Sequence, residues 1–249
     1  HGAPVIGTLR ALHDAGHLLE LPADLLDDRA GTLWISSAKG ILRIPSSQID
    51  ELLAGKLHDQ FVVDMIQGGA GTSTNMCANE VIANRALELL GHAKGEYQFC
   101  HPNDHVNCSQ STNDAYPTAI KLGVWFTLRD TLSGLRELKV ALEAKAKEFA
   151  DVIKMGRTEN QDAVPMTLGQ EFSAYAVMIG DGIRHLEHAG NELLETNMGA
   201  TAIGTGLNAP KGYAEKCTAH LAKITGFPIH LAGNLIEATQ DTQAFVLYS

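Results

Sequence analysis

Ser109-Gln110-Ser111-Thr112-Asn113-Asp114-Ala115-Tyr116-Pro117-Thr118 reads as a loop that turns directly into a long helix. Asn113 or Asp114 is a good N-cap, and Pro117 is expected in the first turn, where a missing N–H costs nothing. Beyond it, Leu128, Leu132, Leu135, Leu138 and Leu142 recur at helical spacing as far as Phe149. A helix of roughly 35 residues would run about 50 Å at 1.5 Å per residue. Ser111, Thr112 and Asn113 then stand at the positive end of a long dipole, ready for an anion such as a carboxylate or a phosphate. The plain alternative is that these residues only cap the helix.

Upstream, Gly68-Gly69-Ala70-Gly71-Thr72-Ser73-Thr74-Asn75 is a glycine-rich loop opening a helix that ends near Leu90, with Gly91 at its C′ position. Glycines let the backbone approach a ligand closely. The loop lacks the Gly-Lys-Ser/Thr ending of a nucleotide-binding loop, and no strongly apolar strand precedes it, so ATP or GTP is disfavoured. Downstream, Met155-Gly156-Arg157-Thr158-Glu159-Asn160-Gln161-Asp162 reads as a polar connection. Thr167-Leu168-Gly169-Gln170 has the form of a capping box for the next helix. That helix carries Phe172, Ala176, Ile179, Ile183, Leu186, Gly190 and Leu193 at alternating steps of four and three. This is the seam of a helix packed nearly parallel to its neighbours in a bundle. A second glycine- and threonine-rich loop spans 199–208, followed by helical stretches from Tyr213 to Thr225 and from Leu235 onward.

The first 49 residues differ in character. Thr32-Leu33-Trp34-Ile35-Ser36 and Ile41-Leu42-Arg43-Ile44 read as two strands of a hairpin, between turns at 27–31 and 38–40. Their Asp-x-x-Gly-x-Leu-Trp-Ile pattern resembles one blade of a sensor-type β-propeller, but an isolated blade cannot bury its faces. Ile49-Asp50-Glu51-Leu52-Leu53 reads as a short helix ended by Gly55, and Gln60-Phe61-Val62-Val63-Asp64 as a short extended piece. The expected organisation is a non-family segment over 1–49, the remainder of an N-terminal domain over 50–113, and the first part of a helical-bundle domain over 114–249. The fold class is mainly α, a long-helix bundle with a short β-hairpin near its N-terminus.

With 249 residues and 45% apolar content, the chain can bury a sizeable core. Its net charge of −10 disfavours general binding to nucleic acid or anionic membranes. No apolar run is long enough to span a bilayer, and no secretory signal is visible. The chain begins at His1 and stops at Ser249 inside an uncapped helix, which reads as a piece of a longer protein. Cys77, Cys100, Cys108 and Cys217 form no C-x-x-C pair and no disulfide pattern, so a reducing, cytoplasmic setting fits best. Cys100, His101, His105 and Cys108 could be drawn as a zinc site, but Pro102-Asn103-Asp104 interrupts them and no second ligand pair has the usual spacing; no metal is expected. His13/His17 and His185/His188 are ordinary helix-face pairs.

Three loops share one chemistry: Thr72-Ser73-Thr74-Asn75, Ser111-Thr112-Asn113, and Thr158 with its neighbours. Each joins a helix, and none carries a cluster of Lys or Arg. Neutral, pre-aimed donors suit a small dicarboxylate whose negative charge must be held and redistributed during a reaction.

From about residue 53 to about 246 the chain resembles the aspartase/fumarase superfamily, and within it most closely the aspartate ammonia-lyases. The matching stretches are Gly68-Gly69-Ala70-Gly71-Thr72-Ser73, His101-Pro102-Asn103-Asp104-His105-Val106-Asn107, Ser109 to Asp114, Gly156-Arg157-Thr158, Gln161-Asp162-Ala163-Val164-Pro165, the 199–206 loop and Glu237-Ala238-Thr239-Gln240-Asp241. Class II fumarases share most of these; Asp104-His105, Gly199-Ala200-Thr201 and Glu237-Ala238-Thr239 look more like aspartase. The resemblance implies reversible conversion of L-aspartate to fumarate and ammonia without a cofactor, in a homotetramer whose sites are shared between subunits. By position, Thr72, Ser111 and Thr112 would hold the β-carboxylate, while Asn113 and Thr158 would bind the rest of the substrate. The alternatives are fumarate hydration and a non-catalytic structural role.

The chain departs from the family pattern at three points. The family's base is a serine in a Gly-Ser-Ser-x-Met-Pro-x-Lys-x-Asn stretch that this sequence does not contain, so no catalytic residue is assigned. Residues 1–49 do not look like the family's usual N-terminus. Glu159 stands where His or Gln is usual, and an anionic side chain there would repel a substrate carboxylate while favouring an amino group.

Overall fold

The computed structural model describes residues 32–37, 40–45, 57–64, 66 and 69–249. The chain is mainly helical and divides into two compact units. The first takes in residues up to 123 and 194–241, the second 124–193 and 242–249.

In the first unit, strands β1 (Thr32–Ser37) and β2 (Gly40–Pro45) pair antiparallel, from Thr32 opposite Pro45 to Ser37 opposite Gly40. The helix expected over 49–53 and the turn at 27–31 lie outside the described residues. His58–Gln60 forms a 3₁₀ turn, and the stretch after it is irregular where a short extended piece was expected. Helix α1 (Thr72–Leu89) follows. It ends in a Schellman motif, in which the Gly91 N–H donates to the Glu88 carbonyl and the His92 N–H to that of Leu87. Ile82, Ala83, Ala86 and Leu87 of α1 pack on Cys100, just ahead of a π-helical turn at Pro102–Val106, and on Val106, the last residue of that turn. This is the core that holds the first unit's loops in register.

Helix α2 (Thr112–Glu148) runs for 37 residues and belongs to both units, changing over between Gly123 and Val124. Its start corrects the sequence reading in two ways. The cap is Ser111: its Oγ accepts the Asn113 N–H at 3.2 Å, and Asp114 Oδ1 reaches back to accept the Ser111 N–H at 2.9 Å. This reciprocal pairing is close to a capping box, with Asp at the third helical position but the N–H of the second position bound by the cap hydroxyl. Pro117 therefore lies inside the helix rather than at its entry. The bond its ring removes would have gone to the carbonyl of Asn113.

Between Leu194 and Asp241, still in the first unit, the two-residue strand β5 (Glu195–Thr196) pairs parallel with β6 (His230–Leu231) around helix α4 (Tyr213–Thr225).

In the second unit, the stretch read as a polar connection is a β-hairpin. Strands β3 (Ile153–Thr158) and β4 (Gln161–Thr167) pair antiparallel, with a bulge between Met155 and Arg157. Helix α3 (Leu168–Glu192) starts with the expected capping box: Thr167 Oγ1 accepts the Gln170 N–H at 3.1 Å, and Gln170 Oε1 accepts the Thr167 N–H at 2.9 Å. Its seam packs as expected. Ile183 joins Leu128 and Leu132 of α2, flanked by Trp125, Leu135, Ile179, Leu186 and Tyr248. The helical stretch from Leu235 is two short helices, α5 (Leu235–Gln240) in the first unit and α6 (Gln243–Tyr248) in the second. They are separated because Asp241 is extended, at φ −78° and ψ 135°.

Candidate functional site

The beginnings of α1 and α2 abut. Gly71 precedes α1 with φ +85°, and a Cβ there would lie 2.0 Å from the Tyr116 ring of α2. The loop glycine is required by this intramolecular ring as well as by its left-handed backbone. Thr72, the first residue of α1, is exposed, and its hydroxyl donates to the Gly69 carbonyl at 3.1 Å. One turn on, buried Asn75 donates from Nδ2 to Thr112 Oγ1 at 3.3 Å and to Asn107 Oδ1 at 3.2 Å. Asn79, also buried, donates to the same Asn107 Oδ1 at 3.1 Å. Asn107 in turn donates from Nδ2 to the Gln110 carbonyl at 3.3 Å.

Below this surface Asp114 is fully buried. Its Oδ2 accepts the Thr201 N–H at 2.8 Å, so one carboxyl ties the first turn of α2 to the 199–206 loop. Burial pushes this carboxyl up from 3.8 to about 6, against the backbone N–H donors of Ser111, Thr201, Ala115 and Gly199, which act to lower it. Asn113 donates from Nδ2 to the Ala202 carbonyl at 2.6 Å, and its own carbonyl accepts from Asn197 Nδ2 at 3.0 Å. Asn197 also reaches Thr239 Oγ1 of α5 at 3.1 Å. Two turns into α2, the Thr118 and Thr196 hydroxyls meet at 2.7 Å.

The first unit thus brings together Ser111, Thr112 and Asn113, next to the α1 terminus that carries Thr72. Thr158 and Glu159 belong to the second unit. Thr158 ends β3 opposite Gln161, and both residues are exposed. Glu159 (φ 49°) and Asn160 (φ 67°) form the two-residue turn of the hairpin. Positive φ at both positions is the type I′ arrangement, for which glutamate is a poor occupant.

The four residues drawn above as a zinc site have other occupations. Cys100 is buried, and burial pushes its thiol up to about 12, so it resists becoming a thiolate ligand. His101 Nδ1 accepts the N–H groups of Asn103 and Asp104, each at 3.2 Å. The Asp104 carboxylate lies 3.8 Å from the same nitrogen. His105 Nδ1 accepts the His101 N–H at 2.7 Å, and Cys108 is exposed. Among the described residues no three of His, Cys, Asp and Glu converge in a way that could hold a metal ion.

The sequence reading included Asn75 in the Thr72–Asn75 donor loop and Asn107 in a stretch matching the family, but it gave neither a role and did not single out Asn79 or Asn197. A signal was present: Asn75 and Asn79 fall one turn apart on the α1 face that also carries Ala78, Ile82, Ala83 and Ala86, all buried. Asparagines on an apolar face must find partners.

The family model described as "Lyase" matches residues 38–249. The chain belongs to this lyase family, the aspartase/fumarase superfamily. The match begins inside the segment that the sequence reading set apart. An aspartate ammonia-lyase of Helicobacter pylori (strain ATCC 700392 / 26695) is 59% identical over 200 residues, 80% of this chain and 43% of the relative. Among solved structures, a fumarate lyase:delta crystallin from Brucella melitensis bound to cobalt superimposes with a TM-score of 0.83 at 46% identity, over 98% of this chain and 50% of that one. A class II fumarase from Schistosoma mansoni gives 0.80 at 29% identity, over 99% and 52%. This lyase chain spans about half the length of the curated relatives it matches. Among the described residues, no helix of the lyase is long and apolar enough to cross a membrane.

Proposed function

We propose that the protein is an aspartate ammonia-lyase, eliminating ammonia from L-aspartate to give fumarate and running the reverse addition. The observation that carries the choice within the superfamily is sequence distance: 59% identity to an aspartate ammonia-lyase against 29% to a class II fumarase. In the forward direction a base takes a proton from the carbon next to the β-carboxylate. The electron pair is held first as an aci-carboxylate, then forms the C=C bond as the C–N bond breaks and ammonia leaves. No described residue is assigned as the base.

The N-terminus of α2 suits the part of this reaction in which charge accumulates. The Ser111 and Thr112 hydroxyls both accept N–H donors from the protein, which leaves their protons for an anion. They form the donor set for the β-carboxylate and for the aci-carboxylate that follows, where pre-aimed dipoles count most, and Thr72 joins them when its hydroxyl turns from the Gly69 carbonyl to the substrate. Asn113 is the first unit's candidate for the remainder of the substrate; Thr158, and Glu159, which would favour the amino group by charge, are the second unit's candidates. No cofactor is needed for such an elimination. The protein works as a homotetramer with shared sites; the exposed Tyr175, Val177 and Met178 on α3 support an interface there. Four free cysteines favour the cytoplasm.

The test is to supply the full-length protein with L-aspartate and measure ammonia and fumarate together. Equal amounts of the two are expected, and malate from fumarate as the main product would overturn the assignment. This chain alone is expected to bind succinate at about millimolar affinity. In calorimetric titration a Thr112→Val variant should give markedly less heat, and equal heats would remove Thr112 from the site.

A further inference from the structure

The amide groups under the α2 terminus form a chain whose direction is fixed at one end. The Gln110 carbonyl can only accept, so the Asn107 atom facing it at 3.3 Å must be Nδ2. Asn107 Oδ1 then points the other way and can only accept. The Asn75 and Asn79 atoms facing it, at 3.2 and 3.1 Å, must therefore both be Nδ2. The same Asn75 Nδ2 lies 3.3 Å from Thr112 Oγ1, so that oxygen is an acceptor in this contact. A hydroxyl has one proton, and with the oxygen accepting from Asn75 that proton is not used in this contact. Among the described residues no acceptor takes it. Amide orientation is often ambiguous between O and N; a peptide carbonyl at the end of the chain removes the ambiguity.

We infer that Asn75 is a positioning residue: it holds the Thr112 hydroxyl as an outward donor, and so gives the site its preference for an anionic substrate group. The inference rests on the dicarboxylate site proposed above and adds the residue that polarises it. Asn75 need not touch substrate. It is buried to 4% exposure and acts through Thr112. Without it, the Thr112 proton is free to turn inward and the oxygen lone pairs face the carboxylate.

Asn79 provides the internal control. It makes the same kind of bond to Asn107 but none to Thr112. The experiment is a succinate titration of this chain, followed by two-dimensional amide NMR, for the parent, Asn75→Ala, Asn79→Ala, Thr112→Val and the Asn75→Ala/Thr112→Val pair. Asn75→Ala should weaken succinate about tenfold, the scale of one hydrogen bond to a charged group. Asn79→Ala should leave the affinity within about twofold. In the Thr112→Val background, Asn75→Ala should have no further effect. Equal losses from Asn75→Ala and Asn79→Ala, or an undiminished loss in the Thr112→Val background, would make Asn75 merely structural and overturn the inference. If Asn75→Ala does not fold, the near-isosteric Asn75→Asp decides. It presents an acceptor to the Thr112 proton and should weaken succinate at least as much, and unchanged affinity would overturn the inference. A parent chain that binds no succinate would instead remove the dicarboxylate seat proposed at the α2 terminus, and this inference with it, while ammonia and fumarate from the full-length protein would still decide the proposed reaction.

Discussion

Asn197 supplies to Asn113 the hydrogen bond that Pro117 cannot. A residue with an N–H at position 117 would bond the Asn113 carbonyl one turn back; the proline ring has none, and Asn197 Nδ2 takes its place at 3.0 Å. The long helix thus keeps a proline in its second turn because a side chain from the following segment of the first unit completes the ladder.

Replacing Asn197 with Leu should destabilise the first unit by about 1–3 kcal/mol, since the Asn113 carbonyl and the Thr239 hydroxyl both lose a donor. Adding Pro117→Ala should recover part of that loss by restoring a backbone N–H. Urea unfolding of the single and double variants measures both numbers, and no recovery in the double variant would mean that Asn197 acts only through Thr239.

Asp114 should give stability an acid-favoured component. Its folded value of about 6 lies above the ordinary 3.8, so between these pH values the folded chain binds more protons than the unfolded one. The contribution is complete below about 3.8 and is lost as pH rises through about 6. Its size is about 3 kcal/mol. Urea midpoints of the parent and Asp114→Asn at pH 4 and pH 7 isolate it: the parent's advantage should shrink at pH 7, and a constant difference would show that the carboxyl does not titrate in this window.

Two glycines of α3 should respond oppositely to alanine. A Cβ on Gly169 would lie 2.5 Å from the Ala146 carbonyl oxygen and 2.8 Å from the Ala150 Cα, backbone atoms that cannot step aside. A Cβ on Gly182 meets nothing within 4 Å. Gly182→Ala should stabilise by about 0.4–1 kcal/mol, and Gly169→Ala should lower the melting temperature by several degrees, both read by thermal unfolding of the chain.

Glu159 occupies the first left-handed position of its turn at φ 49°. Glu159→Gly should raise stability by about 1 kcal/mol by relieving that conformation. In the full-length protein it should also weaken aspartate relative to fumarate, if the glutamate favours the amino group. Thermal unfolding checks the first effect and the ratio of KM values the second.

The parts of the fold that repeat locally were legible in the sequence. The spacing of Leu128, Leu132 and Ile183 announced the packed seam, and Thr167 with Gln170 announced the start of α3. The β3–β4 hairpin was not legible, because Gly156, Pro165 and a run of polar residues look like a loop and Glu159-Asn160 lacks the glycine that signals a tight turn. The cap of α2 was misplaced by two or three positions because Ser111, Asn113 and Asp114 are all good caps; only the reach of Asp114 back to the Ser111 N–H separates them. Of the site, Ser111, Thr112 and Asn113 were readable as helix-end donors. The amides behind them were not, since they meet across 28 to 37 residues of chain and no local pattern encodes the pairing.

The line of amides from Gln110 to Thr112 contains only peptide carbonyl, carboxamide and hydroxyl groups. None of these gains or loses a proton in the range where proteins live. The direction of the Thr112 proton is therefore the same in acid, at neutrality and in mild base, and a pH profile of turnover would report the base, the substrate amine and the buried Asp114 behind Ser111, not the orientation of the Thr112 donor.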